Sequence, residues 1–183
     1  KEKENLEHDF LSITESCSKL GIKCMVVPLV DNGSLTTAYE TDSLLSFFSR
    51  YKNFLESHSM TIVFESDYPP DDLRCFIDNL DKKNFGINYD IGNSAALGFE
   101  PREEFAAYGD RIMNVHIKDR KFGDTTVPLG QGDANFPEVF ELLSHYSYKG
   151  NYILQTARSS SGDHAGSLIS YKKQTENWIN LST

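Results

Sequence analysis

Apolar residues along this chain recur with two different periods, and the changes between them mark its elements. Leu6, Phe10, Ile13, Cys17 and Leu20 recur every three or four positions, which predicts a helix over 4–20 with one apolar face. Gly21 is its stop, since glycine accepts the left-handed conformation beyond a last turn. Ile22 to Val30 is then almost continuously apolar, broken only by Lys23, the pattern of a strand covered on both faces. Asp31-Asn32-Gly33-Ser34 signals a turn, and a polar loop follows to Thr41. Thr41 or Asp42 is placed to cap the next helix, whose buried face is Leu44, Leu45, Phe47, Phe48, Tyr51, Phe54 and Leu55. That helix ends near Ser57-His58-Ser59.

The short strand Thr61–Phe64 delivers Glu65. Pro69 and Pro70 open a third helix lined by Leu73, Phe76, Ile77 and Leu80, proline being tolerated where the first-turn amides have no helical partner. Phe85–Tyr89 reads as a strand delivering Asp90, followed by Gly92 and Asn93 in a turn. Pro101 opens a short helix to about Tyr108, and Ile112–Ile117 is the next strand, with His116 near its end. Arg120 to Asp133 is a polar, glycine-rich excursion. Asn135-Phe136-Pro137-Glu138 has capping-box spacing ahead of a helix built on Val139, Phe140, Leu142 and Leu143. Asn151–Leu154 is a last strand ending at Gln155. A loop over Thr156–Asp163 leads to a final helix from about His164 to Ile179, with His164 read as part of its cap.

The order is a helix, then five strands each followed by a helix, with no convincing hairpin signal between them. That order predicts an α/β fold with a parallel sheet and crossover helices. No GxGxxG follows a strand and no GxxxxGK[ST] occurs, so neither a dinucleotide nor a P-loop site is indicated. A doubly wound sheet and a barrel both satisfy the pattern, and in either the ligand sits beyond the carboxyl ends of the strands.

Composition narrows the picture. A chain of 183 residues suits one domain, spanning 1–183, or part of a larger one. A hydrophobic fraction of 39% and a charged fraction of 25% fit a soluble globular protein. The net charge of −9 argues against an open nucleic-acid surface, which needs a basic stripe. Cys17, Cys24 and Cys75 lack CxxC spacing and are odd in number, so free thiols in a reducing, cytoplasmic compartment are expected. No apolar run approaches the ~18 residues of a membrane span, and no signal peptide opens the chain. It begins in a charged helical segment without Met, which reads as a fragment.

Three metal-capable groups, Glu65, Asp90 and His116, end three strands. Two hard oxygens and an imidazole suit Mn²⁺, Mg²⁺ or Zn²⁺. Taken singly, each has a plainer reading: a strand-end acid is often a cap, and a histidine is often a hydrogen-bonded core residue. Lys118 and Arg120 are placed either to meet ligand oxygens or to pair with Asp119 or Asp124. Asn93 could simply make the turn. Arg158, just past Gln155, is the better phosphate candidate, because its guanidinium is a rigid fork of donors. Gly130-Gln131-Gly132 reads as a shaped turn over the site, with a phosphate nest as the weaker reading.

The strand ends at Glu65, Asp90-Ile91-Gly92-Asn93 and Val115-His116-Ile117-Lys118-Asp119, with Val127-Pro128-Leu129-Gly130-Gln131-Gly132 and Gly150-Asn151-Tyr152-Ile153-Leu154-Gln155, resemble the xylose-isomerase-like superfamily of sugar phosphate isomerases and epimerases. That superfamily also includes ketose 3-epimerases, hexulose-phosphate isomerases and the second family of abasic-site endonucleases. The resemblance implies a partial TIM (β/α) barrel of about five parallel strands, equivalent to strands four to eight, with outer helices. Counterparts of the first three strands are lacking, in keeping with the ~250 residues of a whole barrel. The remainder is expected upstream, on another chain, or replaced by homo-oligomerisation over exposed edges.

The resemblance implies a divalent metal, Mn²⁺ first, with Mg²⁺, Zn²⁺ or Co²⁺ as alternatives. Glu65, Asp90 and His116 match three of the family's four ligands. The fourth, a Glu in the family, is Gln155 here; its amide oxygen can ligate but cannot take a proton at neutral pH. Glu65 and Gln155 stand at the two positions where the epimerases carry catalytic carboxylates. Asn93, three residues after the Asp, stands where relatives touch substrate, with Lys118, Arg120 and Arg158 as further substrate contacts.

The implied activity is isomerisation or epimerisation of a sugar or sugar phosphate by proton transfer through an enediolate. The alternative is an inactive or truncated barrel that binds a carbohydrate or a partner chain, which Gln155 favours. An endonuclease with three zinc ions is disfavoured, since only His116 of five histidines is well placed.

Overall fold

The computed structural model describes residues 2–182. In chain order it contains α1 (Glu2–Lys19), β1 (Cys24–Leu29), α2 (Ala38–Ser57), β2 (Thr61–Ser66), α3 (Pro70–Asp78), β3 (Phe85–Asp90), α4 (Ile91–Leu97) and α5 (Pro101–Tyr108). Then follow β4 (Ile112–Ile117), β5 (Asp119–Arg120), β6 (Thr126–Val127), α6 (Phe136–His145), β7 (Asn151–Leu154) and α7 (His164–Leu181). Strands β1, β2, β3, β4 and β7 form one sheet in that order, every neighbouring pair parallel. With helices as the crossovers, this is a partial (β/α) barrel.

Alternation along the strands separates two faces. One row, including Val27 and Leu29 of β1, Ile62 and Phe64 of β2, Ile87 and Tyr89 of β3, and Val115 and Ile117 of β4, packs into the hydrophobic core with the helices. Phe48 of α2 meets Phe64 and Phe85 edge-on at 5.2 and 5.6 Å, and Trp178 of α7 stacks on Phe136 of α6 at 4.2 Å. The opposite row carries Glu65, Asn88, Asp90, Asn114 and His116 toward the strand ends, with Val63 deeper on β2 and Ile153 beside His116. Apolar burial therefore fixes the helix side of the sheet and leaves the other side for chemistry.

A bulge decides which β4 residues reach that polar face. Ile87 pairs with Ile112, but Asn88 pairs with Asn114, so Met113 is an extra residue on β4. Gly86 makes room for it: a Cβ there would lie 2.5 Å from the Met113 Cγ and Sδ. Without the extra residue every later β4 side chain would change face, and His116 would point into the helix layer. With it, Asp90 and His116 are direct partners.

Several boundaries differ from the sequence expectation. Strand β1 lies at a sheet edge, half-buried, with Pro28 exposed; proline suits an edge because it has no amide to pair. Helix α2 starts earlier than Thr41, because Thr37 and Glu40 form a reciprocal capping box. Gly92 and Asn93, placed in a turn by the sequence reading, lie in a helix: residues 91–97 form α4, capped by Asp90 and ended by Gly98 at φ +76°. The excursion after β4 contains a short antiparallel ribbon, Asp119 with Val127 and Arg120 with Thr126, too brief to leave a pattern in the sequence. At α7 the capping side chain is Asp163, which accepts from Gly166 N, while His164 Nδ1 accepts from Ser159 N. Among the described residues no helix is long and apolar enough to cross a membrane.

Candidate metal centre

Glu65, Asp90 and His116 stand at the carboxyl ends of the adjacent strands β2, β3 and β4, on the polar face. Each offers one ligand atom, and these atoms all lie within 4.8 Å of one another. His116 Nδ1 is 3.2 Å from Glu65 Oε2 and 3.5 Å from Asp90 Oδ2. All three residues are buried, with exposures of 8%, 4% and 8% for Glu65, Asp90 and His116.

A lattice of side-chain amides holds this group. Asn114 Nδ2 donates to Asn88 Oδ1 at 2.6 Å, and Asn88 Nδ2 donates to Glu65 Oε2 at 2.9 Å. Asn93 Nδ2 donates to the other Glu65 oxygen at 2.7 Å. Both Glu65 oxygens are thus aimed by amides from β3 and α4. Asp90 divides its oxygens: Oδ1 accepts from Asn93 N at 2.8 Å as the α4 cap, leaving Oδ2 toward His116.

Cations stand behind Asn93. Its Oδ1 accepts from Lys118 Nζ at 3.0 Å and Arg120 Nη1 at 2.9 Å. Lys118 Nζ is also 3.5 Å from Asp90 Oδ2, and Arg120 grips the Asp124 backbone carbonyl. Neither cation pairs with Asp119, which is wholly buried and accepts from the amides of Gly130, Gly132 and Ala134. Those amides are thereby occupied by the protein's own carboxylate, which removes the phosphate-nest reading of Gly130-Gln131-Gly132.

Gln155 lies one residue beyond β7, its N–H bonded to Ile117 O. His116 pairs with Ile153, so alternation carries Gln155 along the same face, one step further toward the strand ends. It is exposed. Arg158 is also exposed and lines a depression with Thr156, Ser159, His164 and Leu168. Asn88 and Asn114 had not been identified from sequence. Their signal was the two-residue spacing Asn88–Asp90 and Asn114–His116, which places each pair on one face.

The electrostatics fit a divalent cation. Burial pulls the His116 pKa down, but hydrogen bonds and charge from Asp90 and Glu65 outweigh it and raise it to about 9. Two buried carboxylates thus draw a positive charge to their centre, and an ion coordinated by Glu65, Asp90 and His116 would supply it. Oxygen and imidazole donors suit Mn²⁺, Mg²⁺ or Zn²⁺, and three protein ligands leave positions open for substrate.

The imidazole must lose its proton to ligate. Metal uptake at pH 8 and below is therefore expected to release close to one proton, and affinity to rise about tenfold per pH unit in that range. Titration calorimetry in two buffers of different ionisation enthalpy measures this; no buffer dependence at pH 7.5 would exclude His116 as a ligand. In the ion-free protein the raised pKa contributes stability fully present below about pH 6.5 and lost as pH rises through about 9.

Known proteins place this geometry. The xylose isomerase-like TIM barrel family matches residues 1–176. An L-ribulose-5-phosphate 3-epimerase of Escherichia coli is 33% identical over 96 residues, covering 52% of this chain and 32% of that protein. The crystal structure of a xylose isomerase domain protein from Planctomyces limnophilus superposes with TM-score 0.81 at 18% identity, over 94% of this chain and 65% of that one. A xylose isomerase-like TIM barrel protein from Mycobacterium smegmatis, in complex with magnesium, gives 0.75 at 16% identity, over 98% and 68%. The chain thus spans about a third of that curated relative and about two thirds of these solved structures. With a partial (β/α) barrel and a buried Glu–Asp–His group at its strand ends, the chain belongs to the xylose isomerase-like TIM barrel family.

Proposed function

We propose that this chain carries the metal-binding half of a sugar or sugar-phosphate isomerase or epimerase that works by proton transfer through an enediolate. The observation that carries the reading is the buried Glu65–Asp90–His116 group at the carboxyl ends of three parallel strands. The E. coli relative, a ketose-phosphate epimerase by name, and the magnesium held by the M. smegmatis protein support it. In this reading the single domain 1–183 supplies the equivalents of barrel strands four to eight, and an upstream segment, another chain or a second copy supplies the rest.

A divalent ion, Mn²⁺ in the first instance, would polarise the substrate carbonyl and offset the charge of the enediolate. Glu65 takes the α-proton; its orientation is set by Asn88 and Asn93, so the base is aimed before substrate arrives. Asn93, Lys118 and Arg120 line the approach as donors to sugar oxygens or phosphate, and Arg158 is a further anion contact. Gln155 offers an amide oxygen as fourth ligand.

Because Gln155 cannot exchange a proton, Glu65 is the one carboxylate base of the pair. One base can move a proton between adjacent carbons on one face, which is isomerisation. Inverting a centre needs a proton from the opposite face. Isomerisation is therefore the better fit of the two. Gln155 also favours a second reading, a barrel that binds metal and sugar without turnover.

Loss of the α-proton to D₂O from a panel of ketoses and ketose phosphates, followed by NMR with Mn²⁺ present, separates these. Exchange by the parent, reduced at least ~10³-fold in Glu65→Gln, is the expected result. Ligand binding without exchange selects the second reading, and full exchange by Glu65→Gln removes Glu65 as the base.

A further inference from the structure

A buried carboxylate on the helix side of the sheet has no part in the chemistry above. Glu104 of α5 is 2% exposed and accepts three hydroxyl donors. Tyr89 donates to Oε2 at 2.7 Å, Ser94 donates to the same oxygen, and Tyr108 donates to Oε1 at 2.7 Å. Burial raises its carboxyl pKa and the three hydroxyls oppose that rise.

The positions of two of these donors in the chain are informative. Tyr89 immediately precedes Asp90, and Ser94 immediately follows Asn93. One carboxylate oxygen therefore grips both ends of the Asp90-Ile91-Gly92-Asn93 segment. That segment carries one candidate metal ligand and the amide that aims another, Glu65. Tyr108 differs, since it lies four residues on in Glu104's own helix and fastens nothing in the segment.

We propose that Glu104 is a positioning residue for the metal centre: from behind the sheet, through Tyr89 and Ser94, it fixes the turn that presents Asp90 and Asn93. This rests on the metal reading of Glu65, Asp90 and His116. Glutamine at 104 would keep the shape but offer one acceptor oxygen where the carboxylate offers two. Partners bonded directly to a metal's ligands commonly change affinity by ~10- to 100-fold when lost; Glu104 acts through Tyr89 and Ser94, one step further out, so the low end of that range is expected.

The test is Mn²⁺ affinity of the ion-free protein by calorimetry, with the thermal midpoint measured alongside, for the parent, Glu104→Gln, Tyr89→Phe, Ser94→Ala and Tyr108→Phe. Tyr89→Phe, Ser94→Ala and Glu104→Gln are each expected to weaken Mn²⁺ by ~10-fold. Tyr108→Phe is expected to lower the midpoint and leave Mn²⁺ affinity unchanged. Equal loss of affinity in Tyr108→Phe and Ser94→Ala would reduce Glu104 to general stability and overturn the proposal, as would unchanged affinity in both Tyr89→Phe and Ser94→Ala. If Glu104→Gln fails to fold, the three hydroxyl variants decide alone. A parent that takes up no Mn²⁺ would overturn the metal reading and this proposal together; a parent that binds, with hydroxyl variants that match it, overturns this proposal only.

Discussion

Replacing His116 with Ala is expected to abolish ion uptake and, at neutral pH, to destabilise the ion-free protein by about 3 kcal/mol. The second effect follows from what remains. Glu65 and Asp90 are buried, and their carboxylates converge on the His116 ring, whose proton offsets their charge. Alanine removes that positive charge and leaves two acids facing each other, with Lys118 at 3.5 Å from Asp90 as the nearest cation. Their mutual repulsion is then no longer offset by the imidazolium. Urea unfolding between pH 5 and pH 9 measures the effect. The deficit is expected to shrink as pH rises through about 9, where the parent's imidazole loses its proton. A variant as stable as the parent at every pH would mean that His116 carries no charge in the ion-free site.

Asp119→Ala is expected to cost about 3–5 kcal/mol, with no change in the strands beneath. The carboxylate is fully buried and accepts from three backbone amides, Gly130 and Gly132 at 2.8 and 2.9 Å and Ala134 at 3.3 Å. Gly132 sits so close that a Cβ would lie 2.1 Å from the Asp119 Oδ1, so this turn is closed around the carboxylate. Hydrogen exchange at the Gly130 and Gly132 amides, beside the unfolding midpoint, tests the assignment. Unaltered protection of both amides would show that the loop holds itself.

The barrel strands were legible because their apolar runs are short, bounded and separated by helical periods. The strand ends were legible for the same reason: each run stops at or beside a charged, imidazole or amide side chain, Gln155 being the amide. What was hidden had a physical cause in each case. Helix α4 is seven residues, too few for a period to repeat, and its signal was a cap, Asp90, that also looked like a ligand. The β5–β6 ribbon pairs two residues with two and is held by the buried Asp119, not by strand propensity. The bulge at Met113 is invisible in a sequence because it depends on the register with β3 and on the space above Gly86. Nothing in the sequence sets Glu104 apart from its neighbours Arg102 and Glu103 in the Pro101–Tyr108 helix. The burial of Glu104 depends on Tyr89, Ser94 and Tyr108 meeting it from two helices and a strand.

Residue 90 answers two demands at once, which restricts what evolution or an engineer can place there. Starting α4 calls for a short side chain with an oxygen acceptor, a requirement that Asn, Ser and Thr also meet. Holding a cation beside His116 is strengthened by a full negative charge, which of that set only Asp has. Glu has the charge but an extra methylene, so it cannot both reach its own third amide and keep its second oxygen in place. The position is over-determined, and of the three candidate ligands it is the one where tolerance to change should be narrowest.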